Sequence, residues 1–313
     1  MTVTWRWGFP DFFIDTHSQP YFNAETRDLF DSLSPTSNAN CSKTMARRRL
    51  GPAKNGEALN QVRMLVKDLR KNINLEDFTL IVPSISVGNT GQLAIDCSIH
   101  HFNATKIYQF WHRGVLPVIG QNPFDENSST LGLAAEIFAV ESLKLVFFQI
   151  RSAIVKNSET EFLNSAIDFF KNHNVKQIII LSSSYAQNRL DAQLTDSQVR
   201  YVACPVMSKN YKSEFDELTW KLLEQYDEKK NSICLSGAGF VSKVFKICQS
   251  KEMPCLILLK FCSDGDNIPD ALDLISFLDS WLHIYPRREH NDNLKTPPSW
   301  KFLFGNSGPQ EIY

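Results

Sequence analysis

Pro83-Ser84-Ile85-Ser86-Val87-Gly88 has the outline of a strand–turn–helix junction, with Ser86 where a nucleophile elbow would hold its serine. A hydroxyl used that way needs a base and a group to orient the base, and chain order offers Asp264 or Asp266 followed by His283 or His290. The G-x-S-x-G match is incomplete, because its first position is Ser84. A hydrolase of that kind also needs several strands ahead of the elbow, and the preceding residues offer none. His283 falls beside Trp281, Leu282 and Ile284, on an apolar helix face. The pattern argues against hydrolysis.

Two glycine pairs could cradle a phosphate: Gly88-Asn89-Thr90-Gly91 and Ser236-Gly237-Ala238-Gly239 each open a helix, and Ser182–Ser184 follows a buried strand. Neither pair is followed by G-K-[ST], so neither is a P-loop. Small residues that let strand and helix pack closely explain them better. Asp264-Gly265-Asp266-Asn267-Ile268-Pro269-Asp270 begins like a calcium loop but has Pro269 where the turn glycine belongs and Ile275 where the bidentate Glu belongs. A helix start accounts for it, with Asn267 as cap, Pro269 in the first turn and Asp270 closing the box. Cys248, Cys255 and Cys262 recur every seven residues without the spacing of a zinc site, among Phe245, Ile247, Leu256 and Phe261; they read as buried free thiols. His100 and His101 follow Asp96 with no further partner in view. No catalytic set, metal site or cofactor site assembles, and the chain reads as a binding protein and not an enzyme.

The elements that would position these residues begin near residue 77. Phe78–Pro83, Lys106–Trp111, Val115–Ile119, Gln177–Leu181, Arg200–Ala203 and Cys255–Phe261 read as strands, and Ala134–Val140 with Leu143–Ile150 as a hairpin. Helices are predicted around Leu93–Ile99, over Glu159–His173 and Ser208–Tyr226, after Gly239, and from Asn267 to His283. Alternating strands and helices predict an α/β three-layer sandwich with a mostly parallel sheet. Upstream, Glu57–Lys71 has Leu59, Val62, Val66 and Leu69 at helical spacing, and Ser32–Ser42 reads as linker. The expected division is a poorly ordered leader over 1–76, which need not belong to the native protein, an α/β domain over 77–285, and a tail over 286–313. In the tail, Trp300, Phe302, Leu303 and Phe304 should fold back onto the domain.

The chain has 313 residues, 43% of them hydrophobic, with Lys+Arg 33 against Asp+Glu 34. That balance argues against nucleic acid or a membrane surface as principal partner, since both call for a basic field. No apolar run approaches the roughly 18 residues of a spanning helix, and the acid-containing N-terminus does not read as a signal peptide. Seven cysteines, an odd number without a C-x-x-C pair, indicate a reducing compartment. The aromatic and aliphatic content of Ala134–Ile150 exceeds that of a solvated hairpin and predicts a chain that is unstable without a partner.

Leu80–Ile99 (LIVPSISVGNTGQLAIDCSI), Ser236–Phe245 (SGAGFVSKVF) and Leu258–Trp281 (LLKFCSDGDNIPDALDLISFLDSW) together resemble the proteasome assembly chaperone 2 family, supported by Leu116–Pro123, Leu181–Ser184 and Pro298–Gly305. The similarity runs from about Phe78 to the C-terminus. It implies a sandwich similar to nucleoside phosphorylases, used without catalysis or cofactor. It also implies a heterodimer with assembly chaperone 1 that holds proteasome α-subunits while the α-ring of the core particle forms, and prevents premature association. A cytoplasmic location follows, with the nucleus as a second. Tails in that setting end in hydrophobic–Tyr–any residue and enter pockets between α-subunits. Here Ile312 and Tyr313 supply the first two positions and the third is missing. A nucleoside- or phosphate-binding enzyme on the same fold is the alternative, because fold does not fix function.

Overall fold

The computed structural model describes residues 64–69, 73–194, 197–227, 229, 232–285 and 294–302, all within the unit Val62–Tyr313. In chain order the first elements are β1 (Met64–Asp68), β2 (Thr79–Pro83), α1 (Thr90–His101), β3 (Thr105–His112), β4 (Ile119–Gln121), β5 (Leu131–Leu133), β6 (Ala135–Val140) and β7 (Leu145–Ile150). There follow α2 (Glu159–Asn172), β8 (Gln177–Tyr185), β9 (Val199–Ala203), α3 (Pro205–Glu217), β10 (Tyr226–Asp227), β11 (Ser232–Ile233), α4 (Val241–Ser250), β12 (Cys255–Cys262) and α5 (Ile268–Leu282).

Eight strands form one sheet in the order β1-β3-β6-β7-β2-β8-β12-β9. The four central strands, β7, β2, β8 and β12, run parallel, and antiparallel strands complete both flanks. Parallel strands covered on both faces read as unbroken apolar runs, which is why Ile178–Leu181 and Leu256–Leu259 carry no polar alternation. α1 and α5 pack together on one face, and α2 with α4 on the other, giving three layers. β7 shows the division residue by residue: Phe147 faces Phe102 at the end of α1, and Phe148 faces Phe162 and Phe170 of α2.

The hairpin over Ala134–Ile150 is real, with β6 and β7 paired from Ala135↔Ile150 to Val140↔Leu145. Its turn takes Lys144 through φ 49, the left-handed conformation that Gly or Asn more often supplies. It is not a surface hairpin, however. Both strands are buried inside the sheet between α1 and α2, so their apolar content is explained by the core and gives no ground for expecting an unstable chain.

Three expectations are corrected. The helix over Glu57–Lys71 is contradicted by β1, which pairs antiparallel with β3 from Met64↔His112 to Asp68↔Tyr108; the sheet therefore begins upstream of residue 77. The helix over Ser208–Tyr226 stops at Glu217, where Thr219 turns through φ 57 and Trp220 stacks on Phe215 and Phe277. Residues 221–223 then bond along the outer side of β9, with Tyr201 N–H on Lys221 O at 3.1 Å and Leu223 N–H on Tyr201 O at 2.9 Å, which covers that edge of the sheet. The stretch Val115–Ile119 is not one strand: Val115 makes a single bridge to Ile154, and β4 starts at Ile119.

α1 is buried almost throughout, and several of its polar residues are tied to the elements around it. Asp96 accepts from Gln149 Nε2 at 2.7 Å and from Arg151 Nη1 at 2.6 Å, and Gln92 exchanges bonds with the β7 backbone and Gln149. Ser98 shares a hydrogen bond with the Tyr285 hydroxyl at 2.6 Å. The described part of the tail crosses α1: Cys97 Sγ lies 3.7 Å from Lys295 O, Trp300 is buried, and Lys301 pairs with Glu126 at 3.1 Å. Trp300 thus meets the expectation that the tail folds back; Leu303 and Phe304 lie outside the described residues. No helix among the described residues is long and apolar enough to cross a membrane.

Asp96→Ala would strand the buried Arg151 guanidinium, and the expected loss of stability is about 3–5 kcal/mol. Urea unfolding of the two proteins measures it, and Asp96→Asn, which keeps an acceptor, should lose less.

Candidate functional site

In α/β sheets the crevice beyond the carboxyl ends of the parallel strands is where ligands bind. Here β2 and β8 deliver Ser84, Ser86 and Ser182–Ser184 to that crevice, and the segment before α4 delivers Ser236–Phe240. Sequence reasoning found these pieces separately; the structure brings them together.

What fills the crevice is the chain itself. Ser84 Oγ donates to Ala238 O at 3.0 Å and accepts from Phe240 N–H at 3.0 Å. Ser182 Oγ donates to the same carbonyl at 3.1 Å, and Ser184 Oγ to Ser236 O at 2.9 Å. Ser86 and Ser183 share a hydroxyl–hydroxyl bond at 2.8 Å, the Ser183 N–H donates to Ser86 Oγ at 3.0 Å, and Val87 N–H donates to Gly237 O at 3.0 Å. The glycines permit this approach. Gly239, at φ +65, would place a Cβ 2.2 Å from Ile85 O, and Gly237, at φ +77, would place one 2.5 Å from Val87 Cγ2. Gly91 does the same for α1 against β8, where a Cβ would fall 2.4 Å from Leu181 O. A ligand could enter only if the loop left. The close-packing reading of the glycine pairs is the one this geometry supports.

The elbow residues are not assembled. Ser86 Oγ has Ser84 O and Ser183 as partners. His283 follows the far end of α5, a helix of 15 residues and so about 22 Å long, and it is exposed there at φ 49. His290 lies outside the described residues. Asn267 does stand at the start of α5, but its side chain does not cap the helix; that expectation is corrected. Its Nδ2 donates to Ser263 O at 2.8 Å and to the Asp270 carboxylate at 3.0 Å, and its amide packs where a Cβ on residue 88 would stand, a space that Gly88 leaves open. Pro269 does occupy the first turn. His100 and His101, expected to lack partners, lie against Phe124 and against Phe102 with Tyr285. Among the described residues no three His, Cys, Asp or Glu side chains converge as metal ligands. Ile312 and Tyr313 lie outside the described residues.

One thiol cluster escaped the sequence reading. Cys204 stands where β9 meets α3, and its sulfur accepts the Cys255 N–H at 3.3 Å. The Cys255 thiol, with the backbone N–H groups of Cys255, Met207 and Val206, lowers Cys204 to about 6 against the opposing effect of burial. Cys255, hydrogen-bonded to Cys204 and Cys248, is pushed well up. The signal available in the sequence was Cys204-Pro205, a strand end followed by a helix-starting proline, which places a side chain over helix N–H groups.

A protein-family model described as the PAC2 family matches residues 80–278. Proteasome assembly chaperone 2 of Homo sapiens is 35% identical over 254 residues, covering 77% of this chain and 96% of that relative. The Xenopus laevis protein of the same name is 34% identical over 244 residues, covering 75% and 94%. Among solved structures, Pyrococcus furiosus PbaA, an archaeal homologue of proteasome-assembly chaperone, has a TM-score of 0.54 at 13% identity over 72% of this chain and 88% of its own. PbaB of the same organism, an archaeal proteasome activator, has a TM-score of 0.53 at 14% identity over 72% and 91%. At such identities the structural likenesses speak for the fold alone.

Gly239→Ala forces a Cβ onto the Ile85 carbonyl in left-handed backbone, and should cost about 2–4 kcal/mol in thermal or urea unfolding. The lowered Cys204 thiol has its own signature. The folded state holds its proton less tightly than the unfolded chain, whose value is the ordinary 9.0, so stability rises as pH goes from about 6 to 9 and the gain is lost on descending through that window. Cys204→Ser should flatten that part of the stability–pH curve.

Proposed function

The chain belongs to the PAC2 family, and on that premise we propose that it is a proteasome assembly chaperone that works by binding protein, as a heterodimer with assembly chaperone 1. The pair holds α-subunits while the α-ring of the core particle forms and prevents premature association, in the cytoplasm and nucleus, without catalysis or cofactor. The observation that carries this reading is 35% identity to the human proteasome assembly chaperone 2 over 96% of that protein's length. The filled crevice supports it physically: the position where a nucleoside or phosphate would bind is taken by Ser236–Phe240, whose backbone is held by Ser84, Ser182 and Ser184. For the tail, Ile312 and Tyr313 are proposed to reach an α-ring pocket, since each can bury apolar side-chain surface worth about 1.5–3 kcal/mol before ordering costs reduce it.

Co-expression with assembly chaperone 1 followed by native mass spectrometry of the affinity-purified chain tests the reading. A one-to-one heterodimer carrying α-subunits is the expected result. Removing Glu311–Tyr313 should weaken α-ring binding and leave the heterodimer intact. A chain that stays alone under co-expression and binds a nucleoside saturably would replace this reading with the enzymatic one.

A further inference from the structure

Three of the buried thiols meet where the sheet joins α3. Cys204 follows β9 and Cys255 begins β12, and the antiparallel pairing Ala203↔Leu256 carried one residue further sets the two opposite each other. Cys204 N–H donates to Cys255 O at 3.0 Å, and Cys255 N–H donates to Cys204 Sγ at 3.3 Å. Opposed residues bonded in this way have Cα atoms about 5.5 Å apart, inside the range that a disulfide spans. The Cys255 thiol hydrogen-bonds to Cys204 on one side and to Cys248 of α4 on the other. These three sulfurs do not converge as metal ligands. Their chemistry is pairwise, sulfur with sulfur.

Cys204 differs from its two neighbours in what surrounds its sulfur. Backbone N–H groups of Cys255, Met207 and Val206 bond to it, the last two from the start of α3, and donors so placed favour a thiolate. It is also the outermost of the three: Cys204 is 3% exposed where Cys248 and Cys255 are 0%, and Val206, in the first turn of α3, is 47% exposed. We propose that Cys204 and Cys255 are a redox pair, which hydrogen peroxide closes into a disulfide and a dithiol reopens. The Cys204 thiolate attacks one peroxide oxygen, the O–O bond breaks, and hydroxide leaves to be protonated to water; Cys204 is then a sulfenic acid. The Cys255 sulfur gives up its proton and attacks the Cys204 sulfur, the S–O bond breaks, and the hydroxyl leaves with that proton as a second water. Two thiols lose two electrons and peroxide gains them. The Cys204 thiolate charge is among the influences that hold the Cys255 proton in place, and it vanishes with the neutral sulfenic acid, so the first step prepares the second. The product ties β9, the last strand in the sheet order, to β12 and fixes the point where α3 starts. A dithiol reverses it by attack on one sulfur, releasing both cysteines as it is itself oxidised. In a reducing compartment such a reversible bond is the mark of a sensor and not of a structural staple.

Trypsin places the three cysteines on separate peptides, residues 201–209, 247–251 and 252–260. The folded full chain is treated with hydrogen peroxide, its remaining thiols are alkylated, and it is digested without reductant for mass spectrometry. The expected product is 201–209 joined to 252–260, lighter by two hydrogens than the two peptides together, and lost when dithiothreitol precedes alkylation. Cys255→Ser, which removes the second thiol, should leave Cys204 as a sulfenic acid that dimedone traps, and Cys204→Ser should abolish both products. The wild-type peptide map decides alone if either variant fails to fold. Three results would overturn the proposal. One is peroxide that oxidises the exposed Cys234 and leaves Cys204 and Cys255 as thiols. Another is a link between Cys248 and Cys255. The third is a Cys204–Cys255 link that forms only in urea, which would show that the folded chain keeps peroxide from the pair.

Discussion

The Ser236–Phe240 loop lies on the carboxyl ends of β2 and β8, and the other elements take their positions from that contact. A parallel sheet leaves a crevice there, and serine hydroxyls brought into it unpaired would each cost about 1–3 kcal/mol. Ser84, Ser182 and Ser184 meet the carbonyls of Ala238 and Ser236 instead. The bond from Phe240 N–H to Ser84 Oγ sets where α4 begins, and the bond from Val87 N–H to Gly237 O sets the approach to α1. One helix from each face of the sheet is therefore anchored to the same knot of backbone and hydroxyls, whose components are each within ordinary hydrogen-bond reach.

The antiparallel side of the sheet solves a different problem. Asp96 on α1 and Arg151 after β7 are charges in a packed interior, and each is tolerable because the other is 2.6 Å away and Gln149 fills the second carboxylate oxygen. The same region carries Glu136 with Lys106, the β4–β5 ribbon above them, and the tail segment held by Trp300 and by Lys301 on Glu126. Lys106 joins the two layers here, pairing with Glu136 below and donating to Leu131 O of the ribbon above.

Much of this architecture is legible from residue order, for a physical reason. Buried parallel strands must be continuously apolar, so Ile178–Leu181 and Leu256–Leu259 declare themselves, and α2 shows its face through Phe162, Leu163, Ala166, Ile167 and Phe170. β1 did not, because an edge strand is only half buried, and Val66 and Leu69 suit a helical period as well as a strand. The end of α3 was invisible because Thr219 takes φ 57 under the pull of tertiary stacking by Trp220, a contact with Phe277 in a distant helix. For the site, the glycine pairs and the serine run were visible as pieces. That Ser84 would close on Ala238, 154 residues away, is a property of the topology and not of either segment. The β4–β5 ribbon was missed for want of length: three residues with a central glycine carry too little pattern to read as a strand.

The central claim is that the crevice is a structural joint closed by the chain, and amide hydrogen exchange at its donors tests that most directly. The N–H groups of Ser183, Val87 and Phe240 each end on a partner inside the joint. The account predicts that they exchange only through global unfolding, and that millimolar nucleoside or inorganic phosphate leaves their protection unchanged. Rapid exchange at these amides in the free protein, slowed when nucleoside is added, would show an open crevice that a ligand completes, and would contradict the account.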